Sequence, residues 1–351
     1  MASVCRRIAK ETAMADTKIE IRNLYKVFGS NPEAAMKHVH SGISKQDLLD
    51  RHGHVLGLRD INIKIKSKRI QVIMGLSGSG KSTLIRHINR LIEPTEGEVI
   101  VKNSYSSINY KDALAATGAG KILRKFPLVG GVDVAGTVVE SSDPALKPGD
   151  KVLAACSGLS ETNDGGCSEY SRLTSNAAIK IPENITPRTA MAIGTVGFAA
   201  ALAIYKMDLN NQKPDLGPIA VTGATGGVGS IAIDMLSSLG YETVAITSKK
   251  DNEEYLKNIG ATSVRFFDEL DIGERPLERA SFGGAIDNLG GNILSWLLRS
   301  TVEEGNVASI GLALSYKLDT NVMPFILRGV NLLGVNSTTL PKTTKETVWR
   351  K

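Results

Sequence analysis

Two phosphate-binding glycine loops of different kinds stand in one chain, and that pairing limits the folds open to it. The first is Gly75-Leu-Ser-Gly-Ser-Gly-Lys81-Ser82, and the second is Gly223-Ala-Thr-Gly226-Gly227-Val228-Gly229. Ile70-Gln-Val-Ile-Met74 predicts a buried strand running into the first loop, and residues 82–91 predict a helix that stops before Pro94. Strand, GxxxxGKS and helix in that order make a P-loop. The backbone around Gly75, Ser77, Gly78 and Gly80 is then expected to cradle a polyphosphate. Lys81 is expected to reach its terminal phosphates, and Ser82, with Thr83 beside it, to hold Mg²⁺.

The second loop sits in an alternation of strands and helices. Residues 218–222 and 241–247 predict strands around a helix at 230–239, with further strands at 263–267, 284–287, 306–310 and 330–334 and a helix at 292–300. That order implies an α/β fold with a doubly wound parallel sheet of Rossmann type. Gly226, Gly227, Val228 and Gly229 are placed to let a dinucleotide pyrophosphate approach the helix N-terminus. NAD sites put Asp or Glu at the end of the second strand to hold the ribose hydroxyls. This chain has Thr247-Ser248-Lys249-Lys250 there instead. A hydroxyl pair and a cation suit the 2′-phosphate of NADPH, with Arg265 either stacking on adenine or pairing with that phosphate. The alternative is a surface lysine and a solvated arginine, and Asp251 and Glu253 would oppose the phosphate if they turned inward.

Composition narrows the setting. Of the 351 residues, 42% are hydrophobic and 22% charged, as in a chain that buries an ordinary core. The formal charge of +6 divides into +8 over residues 1–97 and −2 over the rest. The basic residues are scattered, without arginine runs or interleaved aromatics, so nucleic acid is not an expected partner. All five histidines precede residue 88, and Cys5, Cys156 and Cys167 make no zinc spacing. Arg6-Arg7 is followed by no apolar core of a signal peptide. The longest apolar stretch, residues 190–205, contains Gly194 and Gly197 and falls short of the roughly 20 residues of a membrane span. The expectation is a soluble, cytoplasmic protein without membrane insertion, with residues 1–16 as an unstructured leader.

Residues 17–101 resemble the ATP-binding subunit of glycine betaine/proline betaine ABC importers. The resemblance rests on Leu24-Tyr-Lys-Val-Phe-Gly29, an inserted segment at 31–58, Val72-Ile-Met-Gly-Leu-Ser-Gly-Ser-Gly-Lys-Ser-Thr83 and Leu91-Ile-Glu-Pro-Thr95. It implies that Phe28 stacks on adenine. After Val101 the family's glutamine loop, LSGGQ sequence, Asp-Glu strand end and switch histidine are missing. Mg²⁺ and an attacking water then lack their partners, so weak ATP binding without hydrolysis is expected.

From about Gly97 onward the chain resembles the quinone-oxidoreductase branch of the medium-chain dehydrogenase/reductase superfamily. Phe126-Pro-Leu-Val-Gly-Gly-Val-Asp-Val-Ala-Gly-Thr-Val-Val139, Lys147-Pro-Gly-Asp-Lys-Val152 and Asp164-Gly-Gly166 carry the match. Asn109-Tyr-Lys-Asp-Ala-Leu-Ala-Ala-Thr-Gly118, Gly158-Leu-Ser-Glu-Thr162 and Asp287-Asn-Leu-Gly-Gly291 are similar to the NADPH-dependent acryloyl-CoA reductases. Zinc alcohol dehydrogenases carry Gly-His-Glu where this chain has Gly131-Val132-Asp133, so the resemblance implies chemistry without a metal.

The implied reaction moves a hydride from NADPH to the β-carbon of acryloyl-CoA, giving propanoyl-CoA; a quinone is the alternative substrate. Tyr110 is the candidate for orienting the nicotinamide or donating the α-proton, with Asn109 and Asp112 as supporting groups. Leu289, Ile310, Gly311, Asn288 and Asn336 carry over as cofactor-lining positions. Lys121, Arg124 and Lys125 either meet the CoA phosphates or form a solvated basic turn. A homodimer is an expected assembly.

The join falls in Glu96-Gly-Glu-Val-Ile-Val101, a peptide that fits both patterns. The expected organisation is a partial P-loop fragment at 17–96, a β-rich GroES-like catalytic domain at 97–190 that lacks its first strands, an NADPH-binding Rossmann domain at 191–335, and a truncated return to the catalytic domain at 336–351.

Overall fold

Alternation of apolar residues through Ile19, Ile21, Ile61 and Ile63 gives the front of the chain a two-stranded antiparallel ribbon of β1 (Thr17–Phe28) and β2 (Val55–Lys66). The structure is a computed structural model and describes residues 17–66, 73, 74, 78–88 and 98–351. The expected leader at 1–16 lies outside the described residues, as do 70–72 of the expected strand at 70–74; Ile73 and Met74 are not in a strand.

Two short helices fill the segment between the strands. Helix α1 (Pro32–His40) is capped by the Asn31 side chain, which accepts from the Ala34 N–H at 3.2 Å. Helix α2 (Lys45–His52) is capped by Ser44, which accepts from the Asp47 N–H at 2.9 Å. Such caps satisfy helix-end N–H groups that have no partner within the helix. Val27, Ala35, Met36, Val39, Leu48 and Leu56 form a small core beneath them. Helix α3 (Lys81–Ile88) follows the first glycine loop, and Leu84 packs on Leu24 and Leu58.

The next layer is an antiparallel sheet. Strands β3 (Glu98–Tyr105), β4 (Asp133–Ser141), β5 (Lys151–Ala155), β6 (Tyr170–Thr174) and β7 (Ile179–Lys180) assemble in the order β6-β3-β4-β5-β7. Helix α4 (Tyr110–Thr117) bridges β3 and β4. Val99, Val101, Val134, Val138, Val152 and Leu173 make one face of this sheet a continuous core.

Helix α5 (Pro187–Leu209) then leads into the second sheet. It has 23 residues, longer than the apolar stretch expected from sequence, and by length and composition it is long enough to cross a membrane. Here it is a core element: Phe198, Ala200, Leu202 and Ala203 are buried, and Gly194 breaks its helical backbone at φ 50°, ψ −157°. Strands β8 (Ile219–Thr222), β9 (Thr243–Thr247), β10 (Ser263–Phe266), β11 (Phe282–Asp287), β12 (Thr301–Ser309) and β13 (Asn331–Gly334) form a parallel sheet ordered β10-β9-β8-β11-β12-β13. Helices α6 (Gly227–Ser238) and α7 (Glu253–Asn258) pack on one face, and α8 (Gly291–Ser300) packs on the other. The strand order reverses beside β8, and in such sheets ligands bind in the crevice at that switch point.

The C-terminal segment adds α9 (Met323–Arg328) and α10 (Lys342–Arg350). Val348 and Trp349 of α10 return to the antiparallel sheet, where Trp349 stacks on Phe198 at 6.0 Å among Ala135, Leu153 and Ile179.

Candidate functional site

The second glycine loop leaves β8 at the switch point and turns through Gly223, whose φ of +57° favours glycine. Gly226 caps α6 without any side-chain hydrogen bond, so the first N–H groups of the helix stay available for an anion. Helix α6 begins at Gly227, three residues earlier than the sequence suggested. A Cβ on Gly229 would lie 2.5 Å from the Gly223 carbonyl oxygen and 2.8 Å from Ala224 Cα. The loop is thus closed on its own backbone, with the Gly226 N–H donating to Gly223 O at 2.9 Å.

Neighbouring strand ends converge on this loop. The Ala224 N–H donates to Ile246 O at 3.2 Å, which sets the loop against Thr247, Ser248 and Lys249. Thr247 is buried and accepts the Lys249 N–H at 3.1 Å; Ser248 and Lys249 are exposed. Lys250 is taken by Asp268 and Glu269 at 3.0 Å, and Glu253 pairs with Lys257 of its own helix at 2.7 Å, so Glu253 does not turn inward. Just after β11, Asn288 donates its side-chain amide to Thr222 O at 2.8 Å, and its own Oδ1 is buried without a partner. Leu289 lies beside Gly223. Ile310 and Gly311 donate their N–H groups to Asp287 O, and a Cβ on Gly311 would meet Asn288 O at 2.3 Å.

Two further expected contributors have local partners of their own. Arg265 pairs in register with Ile246 and therefore shares the face opposite α6, where its guanidinium lies 5.5 Å from the Phe282 ring centroid. Strand parity, not sequence proximity, decides that direction. Asn336 follows β13 but closes a local turn, donating to Thr339 Oγ1 at 2.8 Å and accepting the Thr338 N–H at 3.0 Å.

Asp287 has no exposed surface, and in the sequence it stood out only as the first residue of the Asp287-Asn-Leu-Gly-Gly291 motif. Its carboxylate accepts from Thr222 Oγ1 at 2.7 Å, the Gly290 N–H at 2.7 Å and the Leu289 N–H at 3.3 Å, which fixes the 288–290 turn. Burial pushes its carboxyl above the ordinary range, partly offset by those donors. A raised folded pKa favours the protonated folded state, so this group's contribution to stability is full below the unfolded value of about 3.9 and declines as pH rises through the higher folded value. The stability advantage of the natural chain over Asp287→Asn, measured by urea unfolding, is therefore expected to be larger near pH 4 than near pH 7. An advantage that grows with pH would contradict the assignment.

The antiparallel sheet carries a second buried carboxylate, Asp133. It accepts from Ser107 Oγ at 2.5 Å, Asn109 Nδ2 at 2.9 Å, the Thr195 N–H at 2.9 Å, Thr195 Oγ1 at 2.5 Å and the Cys156 N–H at 3.3 Å. The sequence drew attention to this position only as a departure from the zinc pattern. A lone carboxylate inside the apolar run Val-Asp-Val-Ala was its visible signal. Asn109 and Asp112 prove to hold the start of α4. Asn109 is its N-cap, and Asp112 accepts the Asn109 N–H at 2.8 Å and the Gly131 and Val132 N–H groups at 3.2 and 3.1 Å. Tyr110 opens the helix and is 74% exposed. Lys121, Arg124 and Lys125 are exposed on the following turn.

Among the described residues no group of three or more His, Cys, Asp or Glu side chains is arranged to hold a metal ion. Cys156 is buried beside Thr195 Oγ1 at 3.2 Å, and burial pushes its thiol up.

At the first glycine loop Gly75 and Ser77 lie outside the described residues. Gly78 and Gly80 have φ of +76° and +92°. Lys45 donates to Gly78 O at 2.7 Å, Lys81 donates to Ser79 Oγ at 3.4 Å, and Ser82 and Thr83 open α3. Phe28 is partly exposed, with the Lys26 ammonium 5.3 Å from its ring centroid.

Comparison with known proteins gives three family matches along the chain. The alcohol dehydrogenase GroES-like domain matches residues 95–183, zinc-binding dehydrogenase matches 227–351, and ABC transporter matches 58–125. The overlap at 95–125 is resolved for 98–105 by β3, which pairs with β4 and β6. Acrylyl-CoA reductase AcuI of Ruegeria pomeroyi is 40% identical over 274 residues, 78% of this chain and 83% of that protein. ProV of Escherichia coli, a glycine betaine/proline betaine transport system ATP-binding protein, is 52% identical over 84 residues, which span 24% of this chain and 21% of ProV. The crystal structure of the yhdH oxidoreductase from Salmonella enterica in complex with NADP aligns with a TM-score of 0.70 at 42% identity, covering 72% of this chain and 78% of that one. The chain belongs to the medium-chain dehydrogenase/reductase family of oxidoreductases, and joined to its front is a segment of ABC transporter ATP-binding sequence.

Proposed function

We propose that the reductase part binds NADPH and reduces an α,β-unsaturated thioester, acryloyl-CoA to propanoyl-CoA, without a metal ion. The observation that carries this reading is the uncapped N-terminus of α6 at the switch point, beside the unpartnered Asn288 Oδ1. The first suits a pyrophosphate, and the second suits an amide donor on the ligand. The Salmonella enterica structure in complex with NADP supports the choice of cofactor. When bound, that cofactor supplies a hydride to the substrate β-carbon.

The remaining tasks fall to side chains and backbone. Gly226, Gly227, Val228 and Gly229 hold the pyrophosphate, while Leu289, Ile310 and Gly311 border the nicotinamide. The substrate thioester becomes an enolate, whose oxyanion must be stabilised before the α-carbon is protonated. Tyr110 is the proposed proton donor, held in place by Asn109, Asp112 and Asp133. Metal assistance does not fit the side chains present: the Asp133 carboxylate is taken by five donors, and Cys156 is a buried thiol.

Ser248 and Lys249 are the proposed readers of the 2′-phosphate, with Thr247 positioning Lys249. Lys249→Glu is expected to weaken NADPH binding by about tenfold or more and to leave NADH binding unchanged, because a charge-assisted contact worth about 1.5–3 kcal/mol is lost only with NADPH. Equal losses for both nucleotides would remove Lys249 from that role.

The reading as a whole is tested by incubating the full chain with NADPH and acryloyl-CoA and identifying the acyl-CoA product by mass spectrometry. Propanoyl-CoA in proportion to the NADPH consumed supports it. Consumption with a quinone but not with acryloyl-CoA would redirect it to the quinone-oxidoreductase branch. The ABC transporter match at 58–125 favours a second, lesser reading, in which the front segment retains weak ATP and Mg²⁺ binding without hydrolysis.

A further inference from the structure

We propose that Ser157 and Lys345 form a nucleophile–base pair that hydrolyses short-chain acyl esters in a cavity created where the two parts of the chain meet. The cavity has a volume of about 240 Å³. Asn23, Tyr25 and His40 of the front segment form one side, and Ser157, Asn163 and Arg172 of the reductase part contribute to the other. Neither part alone supplies these walls.

Ser157 follows β5 in a left-handed conformation, φ +51°, that residues other than glycine seldom adopt. Such conformations cost about 1–3 kcal/mol and cluster at functional sites. Behind it, Lys345 of α10 is 5% exposed, and its Nζ donates to Ser157 Oγ at 2.7 Å. Ser157 Oγ accepts that bond and donates its own proton to Ala155 O at 3.1 Å. Burial pushes the Lys345 ammonium below the ordinary lysine range, against the opposing pull of Cys156 and Glu33. A buried lysine that gives up its proton can serve as the base for an adjacent hydroxyl, as in serine–lysine hydrolases. Asn163 lines the same cavity, with its side-chain Nδ2 3.4 Å from where a Cβ on Gly158 would stand. That amide is the donor assigned to the oxyanion in this proposal, on the ground that it shares the cavity with Ser157. Leu159, Leu173 and Ala177 give the cavity an apolar wall for the acyl chain.

In the first step the Ser157 hydroxyl turns from Ala155 O to neutral Lys345, which takes its proton while Oγ forms a bond to the ester carbonyl carbon. The carbon–oxygen bond to the leaving alcohol then breaks, and Lys345 returns the proton to that oxygen. Water repeats the sequence on the acyl-serine, releasing a carboxylic acid and restoring Ser157. No oxidant or reductant is needed.

The test uses the full chain with p-nitrophenyl acetate, in a Cys167→Ser background that removes an exposed thiol. Ser157→Ala is expected to lower hydrolysis by about 100-fold or more, since positioned proton transfer contributes at least that much. Acetylation trapped by acid quench should map by peptide mass spectrometry to Ser157. The rate should rise with pH as Lys345 loses its proton, below the pH range at which an exposed lysine does so. Unchanged hydrolysis in Ser157→Ala, or acetyl groups found only on other residues, would overturn the proposal. NADPH binding by Ser157→Ala, measured alongside, separates loss of the nucleophile from loss of the fold.

Discussion

Replacing Gly229 with alanine is expected to lower NADPH affinity by at least about 100-fold, equivalent to roughly 2.7 kcal/mol. The reason is steric and lies entirely in the backbone. The added methyl would stand 2.5 Å from Gly223 O, 2.8 Å from Ala224 Cα and 3.0 Å from Gly223 C. No side-chain rotation relieves contacts with main-chain atoms, so the loop has to move away from the helix. That movement displaces the N–H groups of α6 from any pyrophosphate. The sheet itself should survive, because Ile219, Val221, Ile233 and Leu236 remain packed. Calorimetric titration with NADPH, paired with an unfolding curve, distinguishes a lost site from a lost fold. Affinity within about threefold of the natural chain, a change of under 1 kcal/mol, would mean that the loop does not hold the cofactor.

Asp133→Ala is expected to cost about 4 kcal/mol of unfolding free energy, because several buried donors lose a charged acceptor together. The donors come from the approach to α4, from the end of β5 and from the break in α5. Gly194 belongs to the same arrangement: a Cβ there would lie 2.8 Å from Asp133 Oδ2. Asp133→Asn should cost less, since one oxygen remains to accept while the new NH₂ faces existing donors. Both variants should also impair reduction, because Asn109 loses the acceptor that fixes the helix start carrying Tyr110. Urea unfolding measures the first effect and the rate of NADPH oxidation the second. A stability loss under about 1 kcal/mol would show that the donors find other partners.

Features set by local interactions were legible in the sequence, and those set by tertiary packing were not. The strand before Gly223 was legible because three apolar residues, Ile219, Ala220 and Val221, lead through Thr222 into the turn. The first turn of α6 was not, because Gly227 and Gly229 are poor helix formers and their place is fixed by contact with Gly223. Helices α1 and α2 carried readable caps at Asn31 and Ser44, hidden inside what looked like an insertion. Asp133 was illegible as a centre because its partners lie at 107, 109, 156 and 195, which only tertiary packing unites. The face on which Arg265 lies was not legible. Its neighbour Ile246 faces the α8 side, and the register between β9 and β10 is not written in either strand alone. The join was visible as a shared peptide, whereas the cavity lined by Asn23, His40 and Arg172 appears only when both parts are packed.

Hydride transfer to an enoyl thioester is the central claim, and it is tested most directly by isotope tracing. The full chain is incubated with acryloyl-CoA and NADPH carrying deuterium at the transferable C4 position, and the product is examined by NMR. Propanoyl-CoA with one deuterium on its β-carbon and a solvent-derived hydrogen on its α-carbon is the expected product. Absence of reduced product, or deuterium appearing on the α-carbon or in water alone, would contradict it.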